Sequence, residues 1–374
     1  MGGLRVAVAA GAAVWMLAPA PASEKGTMPR PEDFAILPWS WVPNDPVQLQ
    51  WIRECGFNLA GFASPDALDA VRAAGLKAFV SDGTTHVGDA EAALDDAEIA
   101  RRVKALVHKV RHHPAVFGYY LRDEPNAAVF PGLARWAAAY AKADPKALPY
   151  INLLPNYGSS AQLGTATYEE YLDQYVRTVH PRFISYDHYA LMDDGSLRGG
   201  YFQNLEAVRK AALSAGIPFW NIVLANAHFR YAEPTPAGLR FQMYTTLAYG
   251  GRGISYFTYL TPDVGNYRLA PIDQFGNKTP TWDMLRNVNL QIHALAPTYL
   301  TLTSVNVFHH GEVPDGCHGD ETSLHLNSVD GANLVVGEFT DPGGQPAVLI
   351  VNKDLHRSTA FGLEFKHPGN VMLV

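Results

Sequence analysis

The chain has 374 residues, of which 48% are hydrophobic and 17% charged, and its formal net charge is −7. The hydrophobic share is typical of a large buried core and excludes a chain that is mainly disordered. The acidic balance, without any basic stripe, argues against nucleic acid as a partner. The 18 tyrosines, 17 phenylalanines and 7 tryptophans favour uncharged, ring-shaped ligands such as sugars, although a large core alone also uses aromatic residues.

The first 22 residues have the pattern of a secretory signal peptide. Arg5 precedes an apolar, alanine-rich run over residues 6–18, and residues 20–22 (Ala-Pro-Ala) provide the small residues of a cleavage site. The run is shorter than the ~20 apolar residues that a membrane-spanning helix needs, and an uncleaved anchor is the alternative. The sequence therefore predicts a secreted or periplasmic protein with no membrane contact in its mature form.

Short apolar runs alternate with helical stretches between residues 32 and 297. The predicted strands are 34–42, 57–64, 76–81, 116–123, 148–153, 183–189, 218–225 and 253–259, and the helices are 47–55, 65–74, 89–112, 132–143, 168–178, 202–215, 237–249 and 281–295. Eight alternating units over this length predict an α/β protein of the (β/α)8 TIM barrel type. The alternative, an open doubly wound sheet, would often carry a glycine-rich loop after its first strand, where this chain has residues 43–46 (Pro-Asn-Asp-Pro).

The pattern changes in residues 300–374. Short β-type runs at 305–308, 324–326, 332–339 and 347–351 are separated by turn residues, and no helical stretch lies between them. This predicts a small C-terminal β-sandwich domain. The segment is shorter than the ~100 residues of an immunoglobulin-type sandwich, so we expect a minimal or truncated domain. The predicted organisation is a signal peptide at 1–22, a catalytic barrel at 32–297 and the sandwich at 300–374.

An adjacent pair of acids, Asp123 and Glu124, follows the fourth predicted strand and precedes Pro125. In (β/α)8 barrels the active site lies at the carboxyl ends of the strands. Glycoside hydrolysis needs one carboxylic acid to protonate the leaving oxygen and a second carboxylate as base or nucleophile. Glu124 is the predicted acid, and Asp123 either raises its pKa by repulsion or binds a substrate hydroxyl. Helix capping by Asp123 is the structural alternative.

Two segments resemble a known group of enzymes. Gly118–Pro125 (GYYLRDEP) resembles the strand-four Asn-Glu-Pro motif of the large clan of retaining (β/α)8 glycoside hydrolases, which includes cellulases and β-galactosidases. Asp273–Pro297 resembles the last barrel loop and helix of β-galactosidase-type members, and the β-rich tail is similar to theirs. The resemblance implies that Glu124 is the acid/base. The chain departs from the clan by having Asp123 in place of Asn and by lacking a glutamate at the end of strand seven.

The identity of the second catalytic group is left open between three mechanisms. Asp187 ends strand six, whereas Glu233 lies in the loop after strand seven; the strand end favours Asp187 because strands hold geometry better than loops. The stretch around Asp187 (ISYDHY) also resembles the strand-six Met-x-Tyr-Asp of chitinase-like hydrolases. That resemblance implies an N-acetylhexosaminidase-type mechanism in which the acetamido group of the substrate is the nucleophile. A non-catalytic carbohydrate-binding barrel is the competing class, favoured by the missing strand-seven glutamate.

Other polar and aromatic residues at the strand ends are predicted to bind the sugar, although any aromatic among them is equally suited to packing in the barrel rim. They are Trp39, Trp41, Asn152, Asn156, Tyr157, Tyr186, His188, Tyr189, Asn226, His228 and Tyr259. No spacing indicates a metal or a cofactor, and neither Cys55 nor Cys317 lies in a metal-binding pattern; whether the two pair is left open. The sequence therefore predicts a cofactor-free hydrolase of a neutral glycan, with the glycan, the linkage and the oligomeric state undetermined.

Overall fold

The main body is one sheet of eight parallel strands in a computed structural model that describes residues 4–8, 34–367 and 372. The strands are β1 (Ala35–Pro38), β2 (Leu59–Ala63), β3 (Lys77–Val80), β4 (Val116–Asp123), β5 (Leu148–Leu153), β6 (Ile184–Asp187), β7 (Phe219–Leu224) and β8 (Gly253–Phe257). Each strand pairs with the next along the chain from β2 to β8, and β8 also pairs with β1. Just beyond β1, Phe62 N–H donates to Ser40 O at 3.1 Å and Val42 N–H donates to Phe62 O at 3.0 Å. The sheet therefore closes, and the predicted TIM barrel is confirmed.

Helices surround the barrel and carry the chain from one strand to the next. They are α1 (Pro46–Glu54), α2 (Leu68–Ala73), α3 (Asp89–Ala92), α4 (Asp96–Val110), α5 (Phe130–Ala143), α6 (Ser160–Leu163), α7 (Tyr168–Val179), α8 (Tyr201–Ala215), α9 (Pro236–Ala248) and α10 (Pro280–Tyr299). The predicted single helix over 89–112 is in fact two, because the Asp95 carboxylate accepts the Glu98 N–H at 2.8 Å and so caps a new helix. Across the described ranges, no helix combines the length and apolar character needed to cross a bilayer.

Side chains on the barrel strands alternate between the barrel interior and the layer under the helices. On β6 and its flanks, Phe183 packs in the interior, and Ser185 and Asp187 hydrogen bond to inward-facing residues of β5. Ile184 and Tyr186 pack instead in the outer core with residues of the helices. The interior is filled by an apolar cluster rich in aromatic rings, so polar side chains gather only at the carboxyl ends of the strands, which form the mouth of the barrel.

A β-sandwich follows the barrel, as predicted. Its strands are β9 (Thr303–His310), β10 (Leu326–Asp330), β11 (Leu334–Thr340), β12 (Pro346–Asn352) and β13 (Thr359–Phe365), of which β13 was not predicted. One antiparallel sheet has the order β9–β11–β12; in the other, β13 pairs with β10 and with an N-terminal strand, Leu4–Val8. The sandwich packs on α9 so closely that a Cβ at Gly337 would lie 2.3 Å from the carbonyl oxygen of Ala248.

The structure covers the predicted signal peptide only in part, and it answers the open question of whether the two cysteines pair. Leu4–Val8 lies within the segment predicted to be a signal peptide, and the rest of that segment lies outside the described residues. Cleavage of the signal peptide therefore stays a prediction. Cys55 and Cys317 do not pair; Cys55 is buried, with its thiol 3.5 Å from the carbonyl oxygen of Trp282.

Candidate active site

Three carboxyl groups lie together at the barrel mouth. They come from the ends of β4 and β6, the two neighbours of β5 in the sheet. Asp123 is the last residue of β4, Glu124 follows it, and Asp187 is the last residue of β6. From β5, Asn152 Nδ2 donates to Asp123 Oδ1 at 3.0 Å and to Asp187 Oδ1 at 2.8 Å. The carboxyl groups of Glu124 and Asp187 lie close enough to share a hydrogen bond and to shift each other's pKa. The structure therefore brings three of the four predicted catalytic acids into one cluster.

The backbone at Glu124 has an unusual conformation. Its φ of 42° lies in the left-handed region, which residues other than glycine seldom adopt. The Glu124 N–H donates to the carbonyl oxygen of Asn152 at 2.9 Å, which supports this conformation from the neighbouring strand. Backbone strain of this kind costs about 1–3 kcal/mol and is concentrated at functional sites.

A chain of hydroxyl groups fixes the orientation of the Asn152 amide. Ser185 Oγ donates to Asn152 Oδ1 at 2.9 Å, and Tyr150 OH lies 3.0 Å from Ser185 Oγ and 3.4 Å from Ser255 Oγ. Because the amide oxygen is engaged by Ser185, the NH2 group points to Asp123 and Asp187. These side chains form a hydrogen-bond network that extends from the barrel interior to the carboxyl cluster.

The carboxyl groups of the cluster differ in accessibility. Glu124 and Asp123 are reached by solvent from the mouth, whereas Asp187 is 3% exposed. Enclosure by the mouth nevertheless desolvates all three groups. This desolvation raises the pKa of Glu124, and the charge of Asp123 raises it further, against the opposing hydrogen bond with Asp187.

Burial raises the pKa of Asp187 well above its ordinary value, and repulsion from Glu124 and Asp123 adds to the effect. Desolvation also raises the pKa of Asp123, although bonds from Asn152 and the Glu124 N–H oppose it. Two carboxyl groups in contact resist ionising together, so the Glu124–Asp187 pair retains one proton where an isolated carboxyl has lost it. A retained proton is what an acid catalyst requires.

An aromatic wall flanks the carboxyl cluster on the β6–β8 side. Tyr189 stacks on Phe257 with ring centroids 5.5 Å apart, and Tyr157 lies under the Arg198 guanidinium at 3.7 Å. Burial raises the pKa of Tyr189, and the charges of Asp187, Asp123 and Glu124 raise it further. Sequence reasoning missed Phe257, although its alternation with Ser255 on β8 would have indicated an inward-facing side chain.

Four predicted sugar-binding residues lie in the protein interior instead of the mouth. Tyr186 and His188 flank Asp187 in the chain, and the alternation that turns Asp187 inward turns them toward the helices. His188 Nδ1 lies 3.0 Å from Asn204 Oδ1, and burial lowers the pKa of His188 to about 4. Tyr259 is fully buried and accepts a hydrogen bond from Trp282 Nε1 at 3.1 Å. Trp39 packs in the interior cluster and is 8% exposed.

Three further predicted residues brace the loops of the mouth. Asn226 Nδ2 donates to the carbonyl oxygen of Phe257 at 2.8 Å, and its Oδ1 lies 2.9 Å from His228 Nδ1. The His228 ring stacks on Tyr267 at 4.6 Å, and burial lowers the pKa of His228 to about 4. Asn156 Nδ2 donates to Gly200 O at 2.9 Å. The NH2 groups of both asparagines are therefore occupied by the protein itself, whereas Asn156 Oδ1 is buried without a hydrogen-bond partner.

Glu233 and Trp41 lie on the outer part of the mouth. Glu233 is exposed in the loop after β7 and forms an ion pair with Arg268 at 3.0 Å, whereas the acidic partners of Glu124 are Asp123 and Asp187. Trp41 exposes 58% of its surface. Within residues 34–367, no group of three or more histidine, cysteine, aspartate and glutamate side chains is arranged to hold a metal ion.

Comparison with solved structures places this geometry in a known fold. No protein-family model and no curated protein matches the chain. A β-galactosidase from the psychrophilic Marinomonas ef1 is similar with a TM-score of 0.53 and 11% identity, over 72% of this chain and 62% of that one. A structure described as a glycoside hydrolase has a TM-score of 0.52 and 12% identity, over 88% and 92%. A β-galactosidase from Rahnella sp. R3 has a TM-score of 0.50 and 11% identity, over 75% and 58%.

The chain thus spans about three fifths of the length of these two β-galactosidases. At identities of 11–12% the likeness defines the fold, a (β/α)8 barrel shared with these proteins.

Proposed function

We propose that the protein is a glycoside hydrolase that cleaves O-glycosidic bonds of a neutral glycan, with Glu124 as the general acid/base. The observation that carries the proposal is the pairing of Glu124, an accessible carboxyl group at the barrel mouth, with Asp187, because such a pair retains one proton between its two members. The fold shared with β-galactosidases and a glycoside hydrolase supports the same class of enzyme. Secretion is part of the proposal and rests on the pattern of residues 1–22.

In this mechanism Glu124 protonates the glycosidic oxygen as the bond from that oxygen to the anomeric carbon breaks, and the aglycone leaves as an alcohol. Asp187 is the second carboxylate: it either bonds to the anomeric carbon as the nucleophile, giving an ester that water then hydrolyses, or removes a proton from the water that attacks this carbon. Retaining glycosidases separate their two carboxyl groups by about 5–5.5 Å and inverting ones by about 6.5–9.5 Å. Because Glu124 and Asp187 are in contact here, an entering sugar has to displace one of them. Glu124 is the accessible partner, whereas Asp187 is buried and held by Asn152, so Glu124 moves and uncovers Asp187.

Asp123 and Glu233 have lesser parts in the proposal. Asp123 raises the pKa of Glu124 by its charge and, being accessible, is placed to accept a hydrogen bond from a sugar hydroxyl. Glu233 remains the alternative second carboxylate. Its exposed ion pair with Arg268 makes it a weaker candidate, since a base or nucleophile has to be held at the reacting carbon.

One observation favours a second candidate, substrate-assisted hydrolysis of an N-acetylhexosaminide. Asp123 and Asp187 accept hydrogen bonds from the same Asn152 amide beside Glu124. Two carboxylates on one side of the acid are suited to hold the N–H of an acetamido group while its oxygen attacks the anomeric carbon. In this mechanism Asp187 orients the substrate and forms no covalent bond with it.

A substrate screen of the wild-type protein and Glu124→Gln tests the proposal. The substrates are aryl β-galactosides, β-glucosides and N-acetyl-β-glucosaminides, together with plant and algal glycans. We expect turnover that Glu124→Gln removes while sugar binding persists. Turnover confined to N-acetylhexosaminides would select the second candidate. Binding without turnover on every substrate would contradict a hydrolase and favour a non-catalytic carbohydrate-binding barrel.

A further inference from the structure

Three aromatic side chains stand out by their exposure. Among the phenylalanine, tyrosine and tryptophan residues of the described chain, Trp41, Phe229 and Phe275 alone are exposed, at 58%, 69% and 79%. The other aromatic residues in this part of the chain are buried or half-buried. We call Trp41, Phe229 and Phe275 the aromatic rim. Large apolar groups in water are unfavourable, so a group of them confined to one place marks a surface that another molecule covers.

The three residues of the aromatic rim belong to one region of the barrel mouth. Phe229 lies in the loop after β7, Phe275 in the loop after β8, and Trp41 in the loop after β1. These strands are consecutive neighbours in the closed sheet. The Phe275 turn is also close to the start of α1, since a Cβ at Gly276 would lie 3.9 Å from Gln48 Nε2. The rim therefore covers one sector of the mouth.

Hydrogen bonds hold the backbone at each of the three positions. Phe229 has a left-handed φ of 46°, and the Asn266 side chain accepts its N–H at 2.8 Å and donates to its carbonyl oxygen at 3.2 Å. Asp273 Oδ1 accepts the N–H of Phe275 at 2.9 Å in a tight turn. Trp41 pairs with Phe62 in an isolated parallel bridge next to β2. The exposed rings are thus presented on ordered backbone, which lowers the entropic cost of binding.

Ring-to-ring contacts connect the rim to the carboxyl cluster. Phe229 contacts His228 with centroids 5.0 Å apart, and the His228 ring lies 6.1 Å from that of Tyr189, which is the second residue after Asp187 and packs against the interior cluster.

On the other side, the Trp41 and Phe62 rings are 6.3 Å apart, and Phe62 lies 4.3 Å from Tyr120. Tyr120 lies on β4, the strand that ends at Asp123, and its ring packs in the interior cluster beneath the mouth. The aromatic rim is thus continuous with the candidate active site.

Charged side chains in the same loops are largely occupied by partners within the protein. Arg268 pairs with Glu233 at 3.0 Å, and Lys278 pairs with Glu54 at 3.6 Å. Arg230 lies 3.7 Å from Asp193 and 3.8 Å from Asp194. Paired charges leave little attraction for an ionic ligand, so the rim suits an uncharged one.

We infer that the aromatic rim binds a neutral glycan chain that extends out of the active site, so that the enzyme acts on a polysaccharide or a long oligosaccharide. The inference rests on the proposed function. The C–H face of a sugar ring is apolar and flat and packs on an aromatic ring, while its hydroxyl groups remain in water. Three rings spread over neighbouring loops provide contacts for sugar units beyond those at the carboxyl cluster. A single sugar with a small leaving group would leave these rings uncovered.

Affinity electrophoresis tests this inference in native gels that contain galactomannan, xyloglucan, mixed-linkage β-glucan, laminarin or, as an anionic comparison, alginate. The test variant is Trp41→Ala/Phe229→Ala/Phe275→Ala. The matched control, Leu213→Ala/Val313→Ala/Leu324→Ala, removes three exposed apolar side chains from α8 and the sandwich region. We expect at least one neutral polysaccharide to retard the wild-type and control proteins, and the rim variant to bind it about tenfold or more weakly.

Turnover separates the inference from the proposed function. We expect the rim variant to lose much more kcat/KM on the retarding polysaccharide than on an aryl glycoside, while Glu124→Gln loses turnover and keeps retardation. Retardation that depends on the aromatic rim, without any hydrolysis, would support glycan binding by the rim and contradict the proposed hydrolase activity. Aryl glycoside hydrolysis without retardation by any polysaccharide would overturn the inference and leave the hydrolase standing. A wild-type dimer that the rim variant converts to a monomer in sedimentation would also overturn it, because a second copy would be the occupant.

Discussion

Two buried carboxyl groups in this molecule have opposite surroundings. Glu338, on β11 of the sandwich, is fully buried and accepts four hydrogen bonds, from the Asn306 amide at 2.8 Å, the Ser323 hydroxyl at 2.8 Å, and the N–H groups of Leu324 and His325 at 2.7 and 2.8 Å. Asp187, on β6 of the barrel, accepts a bond from Asn152 and faces two other acids.

The protonation of the two groups follows from these contacts. Burial would raise the pKa of Glu338, but bonds from Leu324, Asn306, His325 and Ser323 outweigh it and the pKa is lowered. Burial raises the pKa of Asp187, and the acids beside it add to the effect. Burial alone therefore does not indicate function. A buried acid with a full set of donors stabilises the fold, whereas a buried acid next to other acids is costly to keep and points to a reaction.

Glu124→Gln tests the proposed catalytic acid, and we expect it to reduce activity more than any other substitution. Glutamine keeps the shape of the side chain but has no proton to donate to the leaving oxygen. We expect kcat to fall by about 10²–10⁴ on substrates with poor leaving groups, because general acid catalysis contributes that much. Calorimetric titration with a glycan is expected to show wild-type binding. Wild-type turnover in this variant would remove Glu124 from the mechanism.

Asp187→Asn and Glu338→Gln compare the two buried acids directly, by activity and by stability. We expect Asp187→Asn to lose activity to an extent similar to that of Glu124→Gln and to remain at least as stable as the wild type, since it removes charge repulsion. Glu338→Gln is expected to lower the free energy of unfolding by about 1–3 kcal/mol, because the NH2 group that replaces one carboxylate oxygen cannot accept the backbone N–H bond made to that oxygen. Its activity per folded molecule should be that of the wild type. Urea unfolding and initial rates measure the two effects separately.

The opposite order of stabilities in these two variants would contradict the distinction between the two acids. If Asp187→Asn unfolded more easily and Glu338→Gln stayed stable, the Asp187 carboxyl would be a structural group like Glu338. Asp187→Ala serves as a control for side-chain volume, since it removes the charge and leaves a space that asparagine fills.

The two buried acids are also expected to make opposite contributions to the pH dependence of stability. The pKa of Asp187 is raised in the folded state, so the stability that its protonated form provides is lost as pH rises above the ordinary carboxyl value of ~3.9. The pKa of Glu338 is lowered, so its contribution is present above the ordinary value of ~4.3 and is lost as pH falls below it.

We therefore expect the stability of Asp187→Asn relative to the wild type to grow with rising pH. The penalty of Glu338→Gln is expected to shrink with falling pH. Unfolding curves across the acidic and neutral range measure both trends. A parallel pH dependence in the two variants would contradict the opposite pKa shifts.

The sequence was enough to predict the barrel, the sandwich and the position of Asp123 and Glu124 at the end of β4, because these depend on periodicity and on residues next to one another in the chain. The sequence predicted only in part which strand-end side chains face the mouth. Alternation along β6 turns Asp187 inward and Tyr186 outward, so a stricter use of the period of two would have excluded Tyr186 and His188.

Contacts across the barrel were not readable from the sequence. Asn152 was expected to bind sugar, yet its amide joins Asp123 and Asp187 because the side chains of three neighbouring strands meet at the mouth. The pairing of Glu124 with Asp187 depends on strand tilt and barrel width, which no local pattern records. The donors around Glu338 likewise come from residues 13–32 positions away in the chain.

Glu233→Gln is expected to change the protein least, and it tests whether Asp187 or the loop carboxylate is the second catalytic acid. The Glu233 side chain is 58% exposed and its partner Arg268 is 45% exposed, and ion pairs of this kind contribute at most about 1 kcal/mol. We expect the melting temperature to change little and kcat/KM to stay within about threefold of the wild type, since an exposed loop carboxylate is not held at a reacting carbon. Arg268→Gln is the matched control, because it breaks the same ion pair and leaves the carboxylate in place. If Glu233→Gln lost activity as severely as Glu124→Gln while Arg268→Gln and Asp187→Asn stayed active, the loop carboxylate would be the second catalytic group, and the burial of Asp187 beside Glu124 would then serve only to raise the pKa of the acid.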